Sequence, residues 1–369
     1  MLFLLQTPGL FNVRDLQLIA PELIITAVAC LALVMEVILP YKFSKWTAWF
    51  SLVGIAFALL SLGAQFISMG GTFNLSALQS LTPLDGFYNM VRIDGFALVF
   101  KAIFLIAAAL TIAISARYLD IEREQHGEYY ALVLFATVGM MFLGSGSDLI
   151  SLYIALELMA VTFYVLVAFT KRERRSNEAG MKYFLLGAFS SGILLYGMSL
   201  LYGIAGSTNL VEIGKSVGGI LSATPITGDT PTLRPMLLLG MIALAAGLFF
   251  KIAAVPFHMW APDAYEGAPT SVTAFLSTGS KAASFALYAR IFFVALGPMQ
   301  IDWAPLLGVV AALTIVVGNW AAITQENSKR LLAYSSISNA GYLLLALVAN
   351  NIYGNIGLVI YLFVYTLMN

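Results

Sequence analysis

Long apolar runs are the feature of this sequence that most constrains its fold. A membrane-spanning α-helix needs about 20 mostly apolar residues, and these runs lack the alternation expected of barrel strands. Of the 369 residues, 60% are hydrophobic and 10% are charged, which is too little charge to cover a water-facing surface. We therefore predict an all-α, polytopic transmembrane helix bundle of about 11 spans. The predicted spans are Leu18–Leu39, Trp46–Met69, Phe96–Tyr118, Tyr129–Gly144, Leu149–Thr170, Ala179–Ile204, Met236–Trp260, Ser271–Leu296, Pro305–Thr324, Leu331–Ala349 and Ile352–Met368.

The composition argues against several kinds of site. Cys30 is the only cysteine, so the chain alone cannot build a disulfide framework, an iron–sulfur cluster or a cysteine-based zinc site. The two histidines, His126 and His258, argue against a bis-histidine haem. The 19 basic and 19 acidic residues balance, which leaves no basic footprint for nucleic acid. We expect this chain to bind no cofactor, no metal and no nucleic acid.

Basic residues are unevenly divided between the two sides of the predicted bundle, and cytoplasmic loops are usually enriched in them. The run Lys171–Arg175 is the strongest such signal. We predict that the loops after odd-numbered spans are cytoplasmic, with the N-terminus and the loop Asn209–Pro235 outside. The predicted cytoplasmic loops hold Lys42, Lys45, Arg123, Lys171, Arg172, Arg174, Arg175, Lys329 and Arg330, and the other side holds Arg14, Arg92, Lys215 and Arg234.

Ionisable residues inside predicted spans give the main functional signal, because each costs about 2.5–3.5 kcal/mol at the bilayer centre on insertion scales. Glu157, Lys251 and Lys281 lie too deep to reach the interface. Lys182 and Lys101 lie nearer span ends, from where a lysine can extend to the interface. Burial disfavours the charged form of lysine and glutamate, whereas a nearby opposite charge favours it. We predict that these groups exchange protons, with a structural ion pair as the alternative.

The seventh predicted span contains a proline close to its buried lysine. Pro256 follows Lys251 by five residues and removes a backbone donor. At membrane depth such breaks are tolerated in the protein interior or beside a cavity, and they are typical of ion sites in transporters. We predict a broken seventh helix and a proton-transfer role for His258 just beyond it. A simple kink, and a histidine that only donates hydrogen bonds at the interface, are the alternatives.

The short connection Ala261–Thr270 predicts that spans seven and eight are close antiparallel neighbours. The two buried lysines lie similar distances from this turn, roughly 15 Å at 1.5 Å per residue, so they share a depth. Two ammonium groups in hydrogen-bond contact would repel each other. We predict a gap bridged by water and by Ser277, Thr278 and Ser280. Alternatively, these hydroxyls bond only to backbone carbonyls one turn back.

Four stretches carry a resemblance to a known family. DLISLYIALELM at Asp148–Met159 and EAGMKYFLLGAFSSG at Glu178–Gly192 resemble subunit N of NADH–quinone oxidoreductase, respiratory complex I. KIAAVPFHMWAPDAYEGAPTSV at Lys251–Val272, with Lys281, is similar to a signature that antiporter-like subunits share with cation/proton antiporters. NSKRLLAYSSISNAGY at Asn327–Tyr342 is equally typical. The resemblance extends over nearly the whole chain, and the first two stretches point to subunit N.

The resemblance implies a fourteen-helix fold that contains two inverted five-helix repeats. Residues 1–128 would form the first three helices, 129–300 the first repeat, and 301–369 the incomplete start of the second. The family's second broken helix would lie beyond Asn369. We therefore expect the sequence to be a piece of a longer protein.

The same resemblance implies the role of each buried group. Glu157 corresponds to the carboxylate that faces a neighbouring antiporter-like subunit. Lys251 corresponds to the lysine on the broken helix, Lys281 to the lysine that passes protons towards the centre, and Lys182 to a further lysine of the path.

The implied function is proton translocation in a bacterial inner membrane, alongside other membrane subunits of complex I. NADH, FMN, iron–sulfur clusters and quinone would be bound by partner subunits. The alternatives are a subunit of a multi-subunit cation/proton antiporter or of a membrane-bound hydrogenase, and a scaffold without an ion path.

Overall fold

The computed structural model describes residues 13–38, 44–71, 81–122, 127–222 and 230–369. Lys42, Arg123 and His126 lie outside the described residues, as does the side chain of Lys45. The helices are α1 (Val13–Leu18), α2 (Ala20–Ile38), α3 (Ser44–Ser68), α4 (Gly95–Glu122), α5 (Glu128–Ser145), α6 (Leu149–Val167), α7 (Arg174–Ala205), α8 (Leu210–Ser222), α9 (Thr230–Lys251), α10 (Trp260–Gly267), α11 (Thr270–Phe275), α12 (Lys281–Ala289), α13 (Gln300–Ile323), α14 (Ser328–Ala349) and α15 (Ile352–Met368), and the strands are β1 (Leu84–Gly86) and β2 (Val91–Ile93).

The outer faces of the helices are apolar, as a lipid environment requires. Within the described ranges, nine helices are long and apolar enough to cross a membrane. Large side chains such as Phe189, Trp320 and Ile323 project from them with 75%, 71% and 83% exposure, and apolar surface of this extent is normally covered. The prediction of an all-α polytopic bundle is confirmed. The number of spans stays a prediction, because α15 has only 17 residues and Ser271–Leu296 is not one regular helix.

The eighth predicted span changes its hydrogen bonding twice. α11 leads into a π-helical turn at Leu276–Ser280, then into α12, and then into a second π-helical segment at Arg290–Ala295. Each π turn widens the helix and shifts the direction of the following side chains, and such turns are frequent at functional sites. Lys281 directly follows the first turn and Arg290 opens the second. The backbone itself therefore sets where the two charged side chains of this span point.

Two elements occupy segments that were predicted to be loops. Strands β1 and β2 form an antiparallel hairpin before α4, and α8 lies inside the predicted outer loop Asn209–Pro235. The predicted span Met236–Trp260 is not one continuous helix, in line with its predicted break, because α9 stops at Lys251 and Trp260 begins the separate helix α10.

Close helix crossings fix the elements that carry the buried charges. A Cβ on Gly139 of α5 would lie 2.8 Å from the carbonyl oxygen of Ala155 in α6. A Cβ on Gly197 of α7 would lie 2.7 Å from the backbone nitrogen of Leu244 in α9. Small residues allow membrane helices to approach this closely. Helices α6 and α9 are therefore each held backbone to backbone against a neighbour.

Candidate functional site

The predicted break in the seventh span is present and begins directly after its lysine. α9 ends at Lys251, and Ala253 takes the left-handed conformation with φ 57°. The backbone N–H of Ala253 and the indole N–H of Trp260 both donate to the carbonyl oxygen of Phe250, at 3.0 and 2.9 Å. The end of α9 is thus capped by the chain that follows it, which satisfies a carbonyl that the break leaves open.

Lys251 is buried among aromatic rings. It is 6% exposed, and its Nζ has no hydrogen-bond partner among the described residues. The Nζ lies 6.0 Å from the ring centre of Tyr164 on α6 and 5.8 Å from that of Phe250. Tyr183 packs edge-on against Tyr164 and stacks on Trp260, with ring centres 4.8 and 4.5 Å apart. The amine is therefore enclosed without a fixed hydrogen bond.

Glu157 is the acidic side chain of α6, the helix whose Tyr164 ring lies beside Lys251. It is half-buried on α6, and its Oε1 is enclosed without a hydrogen-bond partner in the described part of the chain. The hydroxyls of Tyr164, Ser191 and Tyr288 are likewise enclosed without a hydrogen-bond partner among the described residues. Buried polar groups normally have partners, and water supplies them where protein atoms do not. Enclosed polar atoms of this kind are places where bound water can carry protons.

Lys281 is buried differently from Lys251. It is 2% exposed, and its Nζ donates to the carbonyl oxygen and the hydroxyl of Ser336 on α14. The hydroxyls of Ser277 and Thr278 donate to the carbonyl oxygen of Ala274, at 2.9 and 2.8 Å. These two hydroxyls donate one turn back, as the alternative expects, and the water bridge between the two lysines stays a prediction. Helix α12 still packs directly against α9.

Lys182 lies apart from this buried group, in an ion cluster. Its Nζ is 2.9 Å from a carboxylate oxygen of Glu178 and 2.9 Å from one of Asp263, and its side chain is 46% exposed. Arg330 of α14 contacts Asp263 and Glu266, at 2.9 and 3.0 Å. Burial alone raises the pKa of Asp263, but hydrogen bonds and attraction from Lys182 and Arg330 outweigh it and lower the pKa. The structure therefore places Lys182 at a charged end of the bundle.

His258 lies on the irregular segment between α9 and α10. It is half-buried and follows the break, as predicted. The structure does not bring it into contact with a second ionisable side chain in the described part of the chain.

Two buried ion pairs were missed. Lys101 of α4 lies 2.6 Å from Glu22 of α2, and both side chains are fully buried. Lys101 therefore does not extend to an interface. Arg290 makes a two-pronged contact with Asp94, at 2.7 Å for each nitrogen. A search for carboxylates at the same depth as each unexplained cation could have suggested both pairs.

Arg290 has partners on α4, on α5 and at Asp94, the residue between β2 and α4. Besides Asp94, it donates to the carbonyl oxygen of Gly144 at 3.1 and 2.9 Å and lies 4.9 Å from the ring of Phe96. Asp94 also accepts a hydrogen bond from the backbone N–H of Ala97, at the start of α4. Burial alone raises the pKa of Asp94, but Arg290 outweighs that effect and the pKa is lowered. The contact locks the eighth span to α4 and α5.

Comparison with known proteins gives a consistent family. The family model described as NADH:quinone oxidoreductase/Mrp antiporter matches residues 146–369. NADH-quinone oxidoreductase subunit N 1 of Koribacter versatilis is 48% identical over 366 residues, which cover 98% of this chain and 70% of that protein. Subunit N of Trichlorobacter lovleyi is 45% identical, with 98% and 69% covered. Subunit N 2 of Solibacter usitatus is 55% identical over 293 residues, with 79% and 57% covered.

Solved structures share the fold. A chain of respiratory complex I from Thermus thermophilus, with bound aureothin, superposes with a TM-score of 0.71 at 35% identity and covers 94% of this chain and 68% of its own length. A chain of an archaeal membrane-bound sulfane sulfur reductase gives a TM-score of 0.77 at 24% identity, with 97% and 70% covered. The second likeness concerns the fold alone.

Proposed function

The chain belongs to the subunit N family of NADH-quinone oxidoreductases, antiporter-like membrane subunits of respiratory complex I, and from this premise we propose that Glu157, Lys251 and Lys281 form its proton path. The observation that supports the path most strongly is the environment of Lys251. This buried amine lies at the helix break, beside the helix that carries Glu157, without a fixed hydrogen bond in the described structure. Such an amine is free to accept and release a proton.

The transfer proposed here moves one proton from one amine to the other. A nearby carboxylate favours the ammonium form of a lysine, and desolvation disfavours it. When the influence of Glu157 is withdrawn, Lys251 loses a proton, so an N–H bond breaks there. Water carries the proton to Lys281, where a new N–H bond forms. Ser336 is placed to stabilise the resulting ammonium, because its carbonyl and hydroxyl oxygens already accept from Lys281 Nζ.

The remaining predicted groups are proposed for the two ends of this path. Lys182 lies with Asp263 and Arg330 at the end that carries the basic run Lys171–Arg175, and we propose that this end is cytoplasmic and the N-terminus outside. His258 follows the break and is proposed to exchange protons with its surroundings there. The division into residues 1–128, 129–300 and 301–369 is proposed on the family pattern.

The partners follow from the family. We propose that this chain packs against other antiporter-like membrane subunits of the complex, in a bacterial inner membrane. NADH, FMN, iron–sulfur clusters and quinone are proposed to belong to partner subunits, so that electron transfer there drives proton transfer here.

The experiment compares proton pumping by the assembled complex in inverted membrane vesicles. Lys251→Met and Lys281→Met remove a titratable amine and are expected to lower NADH-driven pumping about tenfold or more. Lys215→Met is the matched control, because this exposed lysine lies on α8 and pairs there with Glu212, 2.8 Å away. Wild-type pumping in Lys251→Met, at an equal amount of assembled complex, would contradict the proposal.

A further inference from the structure

A surface groove reaches the side chain of Tyr164, whose ring lies beside the buried amine of Lys251. The groove has a volume of about 660 Å³ and lies between α5, α6 and α7. Glu128, Lys171 and Asn177 line it at the charged end of the bundle, and Tyr164 also lines it. The side chain of Tyr164 therefore touches the groove and also lies near the enclosed amine of Lys251.

The hydroxyl of Tyr164 has no structural task in the described part of the chain. It is buried there without a hydrogen-bond partner. A buried hydroxyl without a partner is costly, by about 1–3 kcal/mol, and phenylalanine would fill the same space without that cost. Tyr164 and Glu157 lie seven residues apart on α6, so they share a helix face. The hydroxyl of Tyr164 therefore lies on the helix face that also carries Glu157.

The hydroxyl of Tyr164 packs closely against Gly187 of the neighbouring helix α7. A Cβ on Gly187 of α7 would collide with the Tyr164 hydroxyl and lie 2.7 Å from Cζ. The ring is also held by Tyr183, whose ring centre lies 4.8 Å away. One bridging water, with two hydrogen bonds of about 3 Å each, can span a gap of roughly 5–6 Å from such a hydroxyl to an amine.

We propose that Tyr164 relays protons from this groove to Lys251, a role that rests on the proton path proposed above. A hydronium ion in the groove gives a proton, through an intervening water, to the enclosed phenolic oxygen, while the phenol passes its own proton, through water, to the neutral Lys251 amine. The hydronium ion loses one O–H bond and becomes water, one O–H bond forms at the phenol as another breaks there, and an N–H bond forms at Lys251. The phenol ends as it began, so no co-reactant is needed.

The test is the pH dependence of pumping by the assembled complex. Tyr164→Phe keeps the ring and removes the relay, so pumping should fall about tenfold or more at pH 8 and progressively less at lower pH, where protons are abundant. Tyr183→Phe is the matched control, because it removes a neighbouring phenol outside the relay, and it should follow the wild-type pH profile.

A second variant moves the hydroxyl without removing it. Gly187→Ala should displace Tyr164 and reproduce the loss at high pH, whereas Gly192→Ala, on the same helix with open space around it, should not. The wild-type pH profile in both Tyr164→Phe and Gly187→Ala would overturn the relay. If Lys251→Met abolishes pumping in the same series, only the relay fails; if it pumps normally, the path itself fails.

Discussion

Replacing Arg290 by methionine should loosen the junction between the eighth span, the β-hairpin and α4. The guanidinium makes two hydrogen bonds of 2.7 Å to Asp94 and two more to the carbonyl oxygen of Gly144. Removing one partner of a buried ion pair costs about 3–5 kcal/mol. We expect about 3 kcal/mol, the lower end of that range, because the Asp94 side chain is 23% exposed. At about 1.4 kcal/mol per tenfold change, this is a factor of roughly 100.

The assay is amide hydrogen exchange by mass spectrometry on the purified complex, since local opening sets the exchange rate. Peptides that cover Arg290–Ala295 and the start of α4 should exchange about 100-fold faster in Arg290→Met. Arg92→Met is the matched control, because Arg92 lies 4.0 Å from Asp94 and is half-buried, and such pairs contribute about 0–1 kcal/mol. Exchange in Arg290→Met that stays within the range of the Arg92→Met control would refute the lock.

The contact between Arg290 and Asp94 should stay intact over a defined pH range. Burial alone would raise the pKa of Asp94, but the Arg290 guanidinium outweighs that effect and holds the pKa below its usual 3.8. A depressed carboxyl pKa stabilises the fold above the unfolded value, and the contribution is lost as pH falls through the folded value. Corrected exchange protection at this junction should therefore stay constant from about pH 7 to pH 5. A loss of protection within that range would show that Asp94 is not held as a carboxylate.

Three further predictions concern other parts of the chain. Glu157→Gln should slow quinone-linked turnover and proton pumping together. If both rates are normal in Glu157→Gln but fall in Glu157→Ala, the side chain of Glu157 serves only to fill space. Asp263→Asn should lower the thermal inactivation midpoint only slightly, because ion pairs this exposed contribute about 0–1 kcal/mol, and a large loss would show that the ion cluster is essential to the fold. After Cys30→Ser, single cysteines in the loop Lys171–Arg175 should resist an impermeant thiol reagent in intact cells, while cysteines in Asn209–Pro235 should react; the opposite pattern would reverse the proposed orientation.

Local signals in the sequence were enough to place many helix ends. The span predicted at Ile352–Met368 coincides with α15, and α6 begins at Leu149 as predicted. At that end Asp148 accepts a hydrogen bond from the backbone N–H of Ile150 at 2.8 Å, a capping contact made by adjacent residues. The break after Lys251 was also predictable, because proline and a buried lysine interrupt the same apolar run.

Pairing between distant residues was not predictable in this way. Arg290 and Asp94 are 196 residues apart, and neither residue lies in a sequence motif that predicts the other as its partner. The pair of Lys101 with Glu22 joins two helices, and the depth of the lysine alone left an interface position, proton exchange and an ion pair all open. The π turn before Lys281 depends on how one helix packs among its neighbours, which hydropathy does not encode.

Proton release by Lys251 is the essential step of the proposed path, and Lys251→Arg separates that release from the positive charge. Arginine keeps the positive charge but does not deprotonate in proteins. The measurement is the initial rate of NADH-driven proton pumping per assembled complex, in vesicles that contain this variant. We expect normal assembly with pumping reduced to the level of Lys251→Met. Pumping at the wild-type rate would contradict it, because a fixed charge would then suffice.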